Sequence, residues 1–410
     1  MAAYFIDAHC HLFNFEDVPF YATLRRKVKP IDTLGMLAAS LGIVNVDRYK
    51  TFIMFFEQPV HANLHEFLAE AREAVPFRSM LLNPLVMDFF DINPETKPVS
   101  LQVSHLCDGI AKCAALHKED RVLPFIGYDP RHLKQETLAG FIRYWEQSGG
   151  VTSPARRAGP GVLQNGQVIG IKLYPPIGFN PDPSKERNPE VRARFVAFYR
   201  WCIENQIPLT VHCQYSSYSM HNGERIRYYT HPVNWQRLLA RSGFETLRLN
   251  LAHAGGWEDL VAWQGTGKRL HKDSGTGPSS REPGTWSQVV VSMLKRYPNT
   301  YADLSAFNFA SRAACSALKK LLERDEKGMY GDGFAVRKKL LWGSDVPMVI
   351  ASASYKQKRK PAYRNLYERF VRTVLGSLIV NPAEALLDMT ESNPAAFLFP
   401  GEEVSATLTR

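Results

Sequence analysis

Residues 4–11 read YFIDAHCH, and this stretch decides how the chain begins to fold. Its apolar and aromatic residues predict a strand. Side chains alternate along a strand, so His9 and His11 are expected to share one face with Asp7, while Cys10 points to the other face. One metal ion can then bind both imidazoles but not the thiol. The alternative is a strand whose histidines only cap its end, since a short motif needs its structural context.

The same alternation of strand and helix continues along the chain. The eight predicted strands cover residues 4–9, 49–56, 121–129, 168–175, 207–213, 247–253, 300–307 and 339–345. Helices are predicted between several of them, including residues 189–206 and 232–243. Eight strands separated by helices or long segments favour a parallel sheet that closes on itself. We therefore predict an α/β protein with a (β/α)₈ TIM barrel.

A single barrel domain is predicted over residues 1–410, because barrels with insertions often exceed the usual domain length. Three segments are too long for plain connections, namely residues 13–48, 57–120 and 257–285. Each follows a predicted strand, so each is expected to be an insertion at the C-terminal mouth, where substrates bind. Within the second segment, the run SMLLNPLVMDFF at 79–90 is compatible with an extra strand.

The composition fits a cytoplasmic enzyme. The 410 residues are 45% hydrophobic, and we find neither an apolar run of 18 residues nor a signal-peptide pattern, so no membrane association is expected. The six cysteines form no CxxC pair, which predicts reduced thiols. Cys10 and Cys213 each follow a histidine in a predicted strand, so they should face away from the barrel interior as small hydrophobic groups.

The net charge of +10 is spread along the chain. Its densest basic stretch, residues 355–364, lacks a recognised nucleic-acid-binding signature, so a solvated basic face is the simplest interpretation. The alternative is electrostatic attraction of an anionic small molecule. We expect a small-molecule substrate and no nucleic-acid partner. The oligomeric state is open, with a homodimer as the commonest case.

Four predicted strands end in residues that bind metals. His9 and His11 end the first strand, His212 the fifth, His253 the sixth, and Asp345 the eighth. The carboxyl ends of parallel strands meet at one rim of a barrel. Imidazoles and a carboxylate with room for water suit a catalytic Zn²⁺ ion, with Mn²⁺ or Fe²⁺ as alternatives. One such histidine alone is more often structural, but four strand ends in one register favour a metal site.

Six motifs, taken in order, resemble the amidohydrolase superfamily and most closely its amidohydrolase-related branch. They read FIDAHCH, GIKLYP, IPLTVHC, LNLAHAGG, LLWGSDVP and ESNPAAFLF. The resemblance spans residues 6–399. It implies a (β/α)₈ barrel with a metal at the C-terminal mouth, and the branch contains hydrolases, decarboxylases and hydratases that act on small carboxylated compounds.

The resemblance also implies roles for individual residues. The implied metal ligands are His9, His11, His212 and Asp345. Asp345 and His253 match catalytic positions, and in mononuclear relatives the second often polarises or orients rather than binding the metal tightly. A divalent ion lowers the pKa of bound water to roughly 7. Asp345 would then accept the proton, and His253 would stabilise the developing negative charge.

Lys172 in the motif GIKLYP has three interpretations. In two-metal members of the superfamily, such a lysine is carboxylated and bridges the metals. It can instead anchor a substrate carboxylate, or pair inside the barrel. We favour one divalent ion per chain over two. The weaker candidates for substrate contact are Tyr174, Gln214, Tyr215, His221, Arg225, Arg227, Trp257 and Ser305.

The leading hypothesis is a metal-dependent hydrolase that activates water to cleave an ester, lactone, amide or similar bond in a small anionic substrate. The second hypothesis is a non-oxidative decarboxylase or a hydratase of the same family that acts on a small carboxylic acid. The third is a barrel that binds ligands without chemistry. The sequence does not identify the substrate.

Overall fold

The strands form two parallel sheets in sequence order. A computed structural model describes residues 4–14, 17, 57–75, 79–89, 97–131, 138–152, 163–215, 229–265, 285–331, 333–347 and 362–399. The strands are β1 (Tyr4–Cys10), β2 (Ser79–Pro84), β3 (Arg121–Val122), β4 (Phe125–Gly127), β5 (Gly170–Leu173), β6 (Leu209–Gln214), β7 (Leu249–Gly255), β8 (Thr300–Asp303) and β9 (Leu340–Leu341). One sheet has the order β1-β2-β3, and the other has the order β4-β5-β6-β7-β8-β9.

The helices follow the strands along the chain. They are α1 (Val60–Ala74), α2 (Val99–Ala114), α3 (Leu138–Gln147), α4 (Pro189–Glu204), α5 (Pro232–Leu239), α6 (Trp257–Gly265), α7 (Trp286–Arg296), α8 (Arg312–Glu326), α9 (Ala362–Leu375), α10 (Pro382–Leu387) and α11 (Asn393–Leu398). Local sequence sets their starts. Asn188 caps α4 ahead of Pro189, and Thr285 forms a capping box with Gln288 at the start of α7.

Strands β3 and β4 occupy one position in the sheet. Leu81 of β2 is paired with Arg121, and Leu85 beyond β2 is paired with Phe125, so the same register continues across both strands. Pro124 lies between them and has no N–H to donate to the ladder. The nine strands therefore fill eight positions.

Backbone hydrogen bonds also join the first strand to the last. The N–H of Ala8 donates to the carbonyl of Trp342 at 3.1 Å, and the N–H of Asp345 donates to the carbonyl of His9 at 2.8 Å. With β2 joined to β4, every strand position has two neighbours. The eight positions thus form the closed ring of a (β/α)₈ barrel, and the predicted fold class is confirmed.

Apolar residues fill both the outer layer and one end of the barrel. Cys10 and Cys213 are fully buried in the large cluster between strands and helices, as predicted for small hydrophobic groups. A second cluster joins strand residues such as Ile6 and Phe125 to Phe397 of α11. This cluster closes the amino-terminal end of the barrel, and polar side chains occupy the opposite end.

The neighbour of β1 is the run that the sequence predicts only as a possible extra strand. The predicted strand at 49–56 lies outside the described residues, and the strand that pairs with β1 is Ser79–Pro84. Its Leu- and Met-rich run has no β-branched residue, so propensity predicted it only as a possible extra strand, and long-range pairing makes it the neighbour of β1. Residues 57–120 therefore contain α1, β2 and α2 rather than one inserted loop.

The other two predicted insertions are described only in small part. Residues 18–48 of the segment 13–48 and residues 266–284 of the segment 257–285 lie outside the described residues. Residues 257–265 form α6. The single-domain assignment stays a prediction. None of the helices within the described ranges has both the length and the apolar character that crossing a bilayer requires.

Candidate metal centre

The carboxyl ends of four strands bring the five predicted site residues to the same end of the barrel. His9 and His11 come from β1 and the residue after it, His212 from β6, His253 from β7, and Asp345 from the segment after β9. All five side chains are buried. Buried polar groups need partners, so the arrangement of these side chains indicates what each can bind.

Three of them form a compact group. The Nε2 atoms of His9 and His11 lie 3.5 and 3.4 Å from the same Oδ1 atom of Asp345. The ligand atoms of these three residues all lie within 4.8 Å of one another. Within the described ranges, His212 does not join this group.

Hydrogen bonds determine the tautomers of both histidines. The Nδ1 atom of His11 lies 2.9 Å from the carbonyl of Leu85, and that of His9 lies 2.9 Å from Oδ2 of Asp303. Carbonyl and carboxylate oxygens only accept, so each Nδ1 carries the hydrogen and each Nε2 presents a lone pair. Burial, together with the charge of Lys172, lowers the pKa of His9 to about 3, which keeps this ring neutral.

Two imidazole lone pairs therefore face one carboxylate oxygen. The Nε2 atom of His9 is buried and finds no hydrogen-bond partner in the described part of the chain. Three acceptors around one point repel each other unless a cation lies between them. Imidazoles whose Nδ1–H is held by the protein and whose Nε2 is bare are the usual ligands of a divalent metal. The residues present thus fit such an ion.

His212 and His253 form a separate hydrogen-bonded pair. The Nδ1 atom of His253 lies 3.2 Å from the carbonyl of Ser305 and so carries the hydrogen. Its Nε2 must then accept from Nδ1 of His212, 3.1 Å away. This leaves Nε2 of His212 as a buried lone pair with no hydrogen-bond partner among the described residues. Burial lowers the pKa of both rings, so both are neutral at pH 7.

Asp303 connects the two histidine groups, and the sequence analysis missed it. Its Oδ2 accepts from Nδ1 of His9 at 2.9 Å and from Asn250 at 2.7 Å. Its Oδ1 accepts from the N–H of His253 at 2.9 Å and from the N–H and hydroxyl of Ser305. Burial opposes ionisation, but His9 and these donors hold the pKa of Asp303 well below its usual value.

Both oxygens of Asp303 are therefore occupied by donors. His9, His253 and Asp303 also lie close enough to hold an ion, but five hydrogen bonds to one carboxylate identify a positioning network instead. The available sequence signal was an acidic residue inside the buried run TYADLS at 300–305. Only Ser305 of this run was considered as a candidate.

Replacing Asp303 with asparagine is expected to weaken metal binding roughly 10- to 100-fold, because the His9 ring loses the acceptor that orients it. The amide nitrogen would also face donors, so the protein should lose about 1–3 kcal/mol of stability. Chelator competition and urea unfolding measure the two effects. Asp325→Asn is the matched control, since Asp325 accepts two backbone N–H bonds near α8. Equal metal affinity in the two variants would contradict the assigned role.

Lys172 lies within the electrostatic reach of this site. Its side chain, on β5, is almost completely buried. Burial lowers its pKa to about 8, and the carboxylates of Asp303 and Asp345 oppose that shift. The amine is therefore largely charged at pH 7 and interacts with both acidic groups of the site.

The structure places the weaker candidates for substrate contact in three different settings. The Tyr174 ring meets the His212 ring edge-on, with centroids 4.9 Å apart, so it borders the site. Trp257 packs against the apolar core and lines a small apolar cavity behind β7, which does not favour a substrate contact. Arg225, His221 and Arg227 lie outside the described residues.

The backbone at the strand ends adopts left-handed conformations. His253 and Asp345 have φ angles of 66° and 55°, which cost residues other than glycine of order 1–3 kcal/mol each. Such strain is typical of functional sites. Gly255 and Gly256 have φ angles of 85° and 97°, which confirms the tight turn predicted from the motif HAGG.

Asp7 does not share the position of the two histidines that follow it. The register of β1 against β2 shifts between Asp7 and Cys10, so strict alternation fails over this stretch. The Asp7 carboxylate instead accepts from the N–H groups of Ser344 at 3.0 Å and His9 at 3.2 Å. It holds the β1 and β9 ends together, and the expected common face was wrong for this residue.

Comparison with known proteins gives a family match and several distantly similar structures, among them the following two. The sequence profile described as Amidohydrolase matches residues 109–376. An amidohydrolase structure from Burkholderia multivorans is 13% identical, covering 98% of this chain and 100% of that chain with a TM-score of 0.46. A Pseudomonas putida structure bears the name of a 2-pyrone-4,6-dicarboxylic acid hydrolase, an assignment made by name only. It is 14% identical and covers 97% of this chain and 98% of that chain, with a TM-score of 0.42. No curated protein matches the sequence.

Proposed function

The chain belongs to the amidohydrolase family, and on that premise we propose that it is a metal-dependent hydrolase. The proposed reaction is cleavage of an ester, lactone, amide or similar bond in a small anionic substrate. The observation that carries the proposal is the pair of imidazole lone pairs, from His9 and His11, that face one oxygen of Asp345.

We assign the metal to His9, His11 and Asp345, with His212 as the fourth ligand through its bare Nε2. Zn²⁺ is the proposed ion, because neutral imidazoles with one carboxylate suit it; Mn²⁺ and Fe²⁺ take similar ligands. When bound, such an ion lowers the pKa of a water molecule to about 7 and polarises the bond to be cleaved. One ion per chain is proposed, because Asp303 is fully used by hydrogen bonds.

Asp345 is the proposed general base. Burial disfavours its charge, but its contacts with the imidazoles of His11, His9 and His253 hold its pKa below the usual value. It is therefore ionised at neutral pH and can take a proton from water. The same carboxyl then donates that proton to the leaving group.

His253 is proposed to act through His212 rather than on the substrate. Its Nε2 accepts from His212, so it has no hydrogen there to offer a developing oxyanion. It instead fixes the His212 tautomer that leaves Nε2 bare. This differs from the polarising role that the resemblance implied.

Lys172 is proposed to attract the anionic group of the substrate. A buried ammonium group of pKa about 8 is charged below that pH and neutral above it. The KM for an anionic substrate should therefore rise as the pH increases through about 8. In Lys172→Met this pH-dependent rise in KM should disappear, and KM at pH 7 should be at least ~10-fold higher than in the wild type. Lys172→Arg should retain its positive charge at high pH.

Steady-state kinetics between pH 6 and 10 measure this effect, with exposed Lys185→Met as the control. A wild-type KM that stays flat through pH 8 would contradict the anchoring role. Two ions per chain in the wild type, falling in Lys172→Ala, would assign Lys172 to a carboxylated bridge instead.

The reaction class is tested with a panel of carboxylated lactones, esters and amides beside aromatic and enoic acids. Acid release is followed at constant pH, and carbon dioxide is measured in parallel. Bond cleavage that releases acid and depends on bound metal is the expected result. Release of carbon dioxide from a carboxylic acid would assign the decarboxylase activity, and a metal-loaded protein inert on the panel would favour a binding barrel.

A further inference from the structure

A groove of about 500 Å³ runs between α8 and α9 on the outside of the barrel. Arg312, Cys315 and Lys319 line one wall at positions i, i+3 and i+7 of α8, so they form one stripe of that helix. Arg369 and Arg372 contribute to the wall made by α9. Four cationic side chains and no carboxylate line the described groove.

These cations also lack acidic partners. None of Arg312, Lys319, Arg369 and Arg372 forms an ion pair within the described ranges. Other arginines of the same surface do pair, as Arg364 does with Glu368 at 2.9 Å. The groove therefore concentrates positive charge that no described part of the chain neutralises.

One arginine of the α9 wall also has an unsatisfied N–H group. The Nε atom of Arg369 is buried and finds no hydrogen-bond partner in the described part of the chain. A buried guanidinium N–H that stays unpaired costs free energy.

The spacing of the cations limits the kind of anion. Arg312 and Lys319 are seven residues apart, which is about 10 Å along the helix axis. A single phosphate would require both long side chains to bend toward one point, whereas a chain of two or more phosphates matches the spacing of the two residues along the helix. Guanidinium groups bind phosphate oxygens in pairs, and the groove volume lies in the range of small-ligand sites.

We propose that the groove between α8 and α9 binds a small oligophosphate anion, at a site separate from the barrel mouth. Inorganic triphosphate is the probe. Calorimetry on the full chain should give saturable binding of one triphosphate that weakens as salt increases. The Arg312→Glu/Arg372→Glu variant, with one exposed change on each wall, should lose at least ~10-fold in affinity.

The control is Arg187→Glu/Arg200→Glu, which alters the net charge equally at exposed positions near and on α4. Its affinity should stay within about twofold of the wild type. The His9→Ala/His11→Ala variant should bind triphosphate as the wild type does, because the groove does not use the metal.

Three results would overturn the proposal. Equal losses in the two charge-reversal variants would assign the binding to net charge alone. Loss of binding in His9→Ala/His11→Ala, with retention in the groove variant, would place the anion at the barrel mouth. Absence of saturable triphosphate binding would also overturn it, even if a single-stranded oligonucleotide binds.

Discussion

The His9→Ala/His11→Ala variant is expected to lose its bound metal and its activity completely. Both substitutions remove a lone pair that faces Asp345, and the remaining carboxylate with one imidazole is too small a ligand set to retain a divalent ion. Elemental analysis of protein purified without chelator or affinity metal measures the effect. The wild type should carry about one ion per chain and the variant none.

The matched control is His65→Ala/His117→Ala. These two rings are 2.9 Å apart at their nitrogens and join α1 to the segment after α2, away from the strand ends. This control removes the same number of imidazoles and should keep one ion per chain. Full metal content in the His9→Ala/His11→Ala variant would withdraw the assigned metal site.

Asp345→Asn is expected to lower kcat by roughly 10²- to 10⁴-fold, the usual contribution of a general base. The amide keeps an oxygen toward the metal but cannot accept a proton at neutral pH. The loss should therefore fall on kcat while most of the bound metal is retained. The acidic limb of the pH–rate profile should also disappear, because it reflects protonation of Asp345 as the pH falls through its lowered pKa.

Kinetics with a substrate from the panel, beside metal analysis, make this measurement. Asp182→Asn is the control, because Asp182 is another buried carboxylate but pairs with Arg241 at 3.2 Å, away from the strand ends. An Asp345→Asn enzyme within threefold of the wild-type kcat would show that another group takes the proton.

Much of this architecture could be predicted from short-range patterns. Strand β1, helix α4 and the strands ending at His212 and His253 each follow from apolar periodicity and nearby capping residues. Because parallel strands close a barrel with all their carboxyl ends on one rim, the site residues could be assigned to one end before any contact was known. The same patterns predicted that Cys10 and Cys213 are buried away from the site.

Other features required the tertiary structure. Strand β2 was not recognised as the neighbour of β1, because only pairing with a distant strand distinguishes Ser79–Pro84 from the other apolar runs. Asp303 is 294 residues from the His9 ring that it orients, and no periodicity in the sequence links the two. The basic groove likewise exists only because α8 and α9 pack side by side.

The sequence by itself therefore determined the barrel and the residues at its rim. The tertiary structure decided which atoms of those residues have a lone pair available to bind a metal. Strand and helix periodicity act over a few residues, so they can be read along the chain. The tautomers of His9, His11 and His212 depend on partners from other strands. They decide which nitrogen can bind a metal, and only folding brings those partners into hydrogen-bond distance.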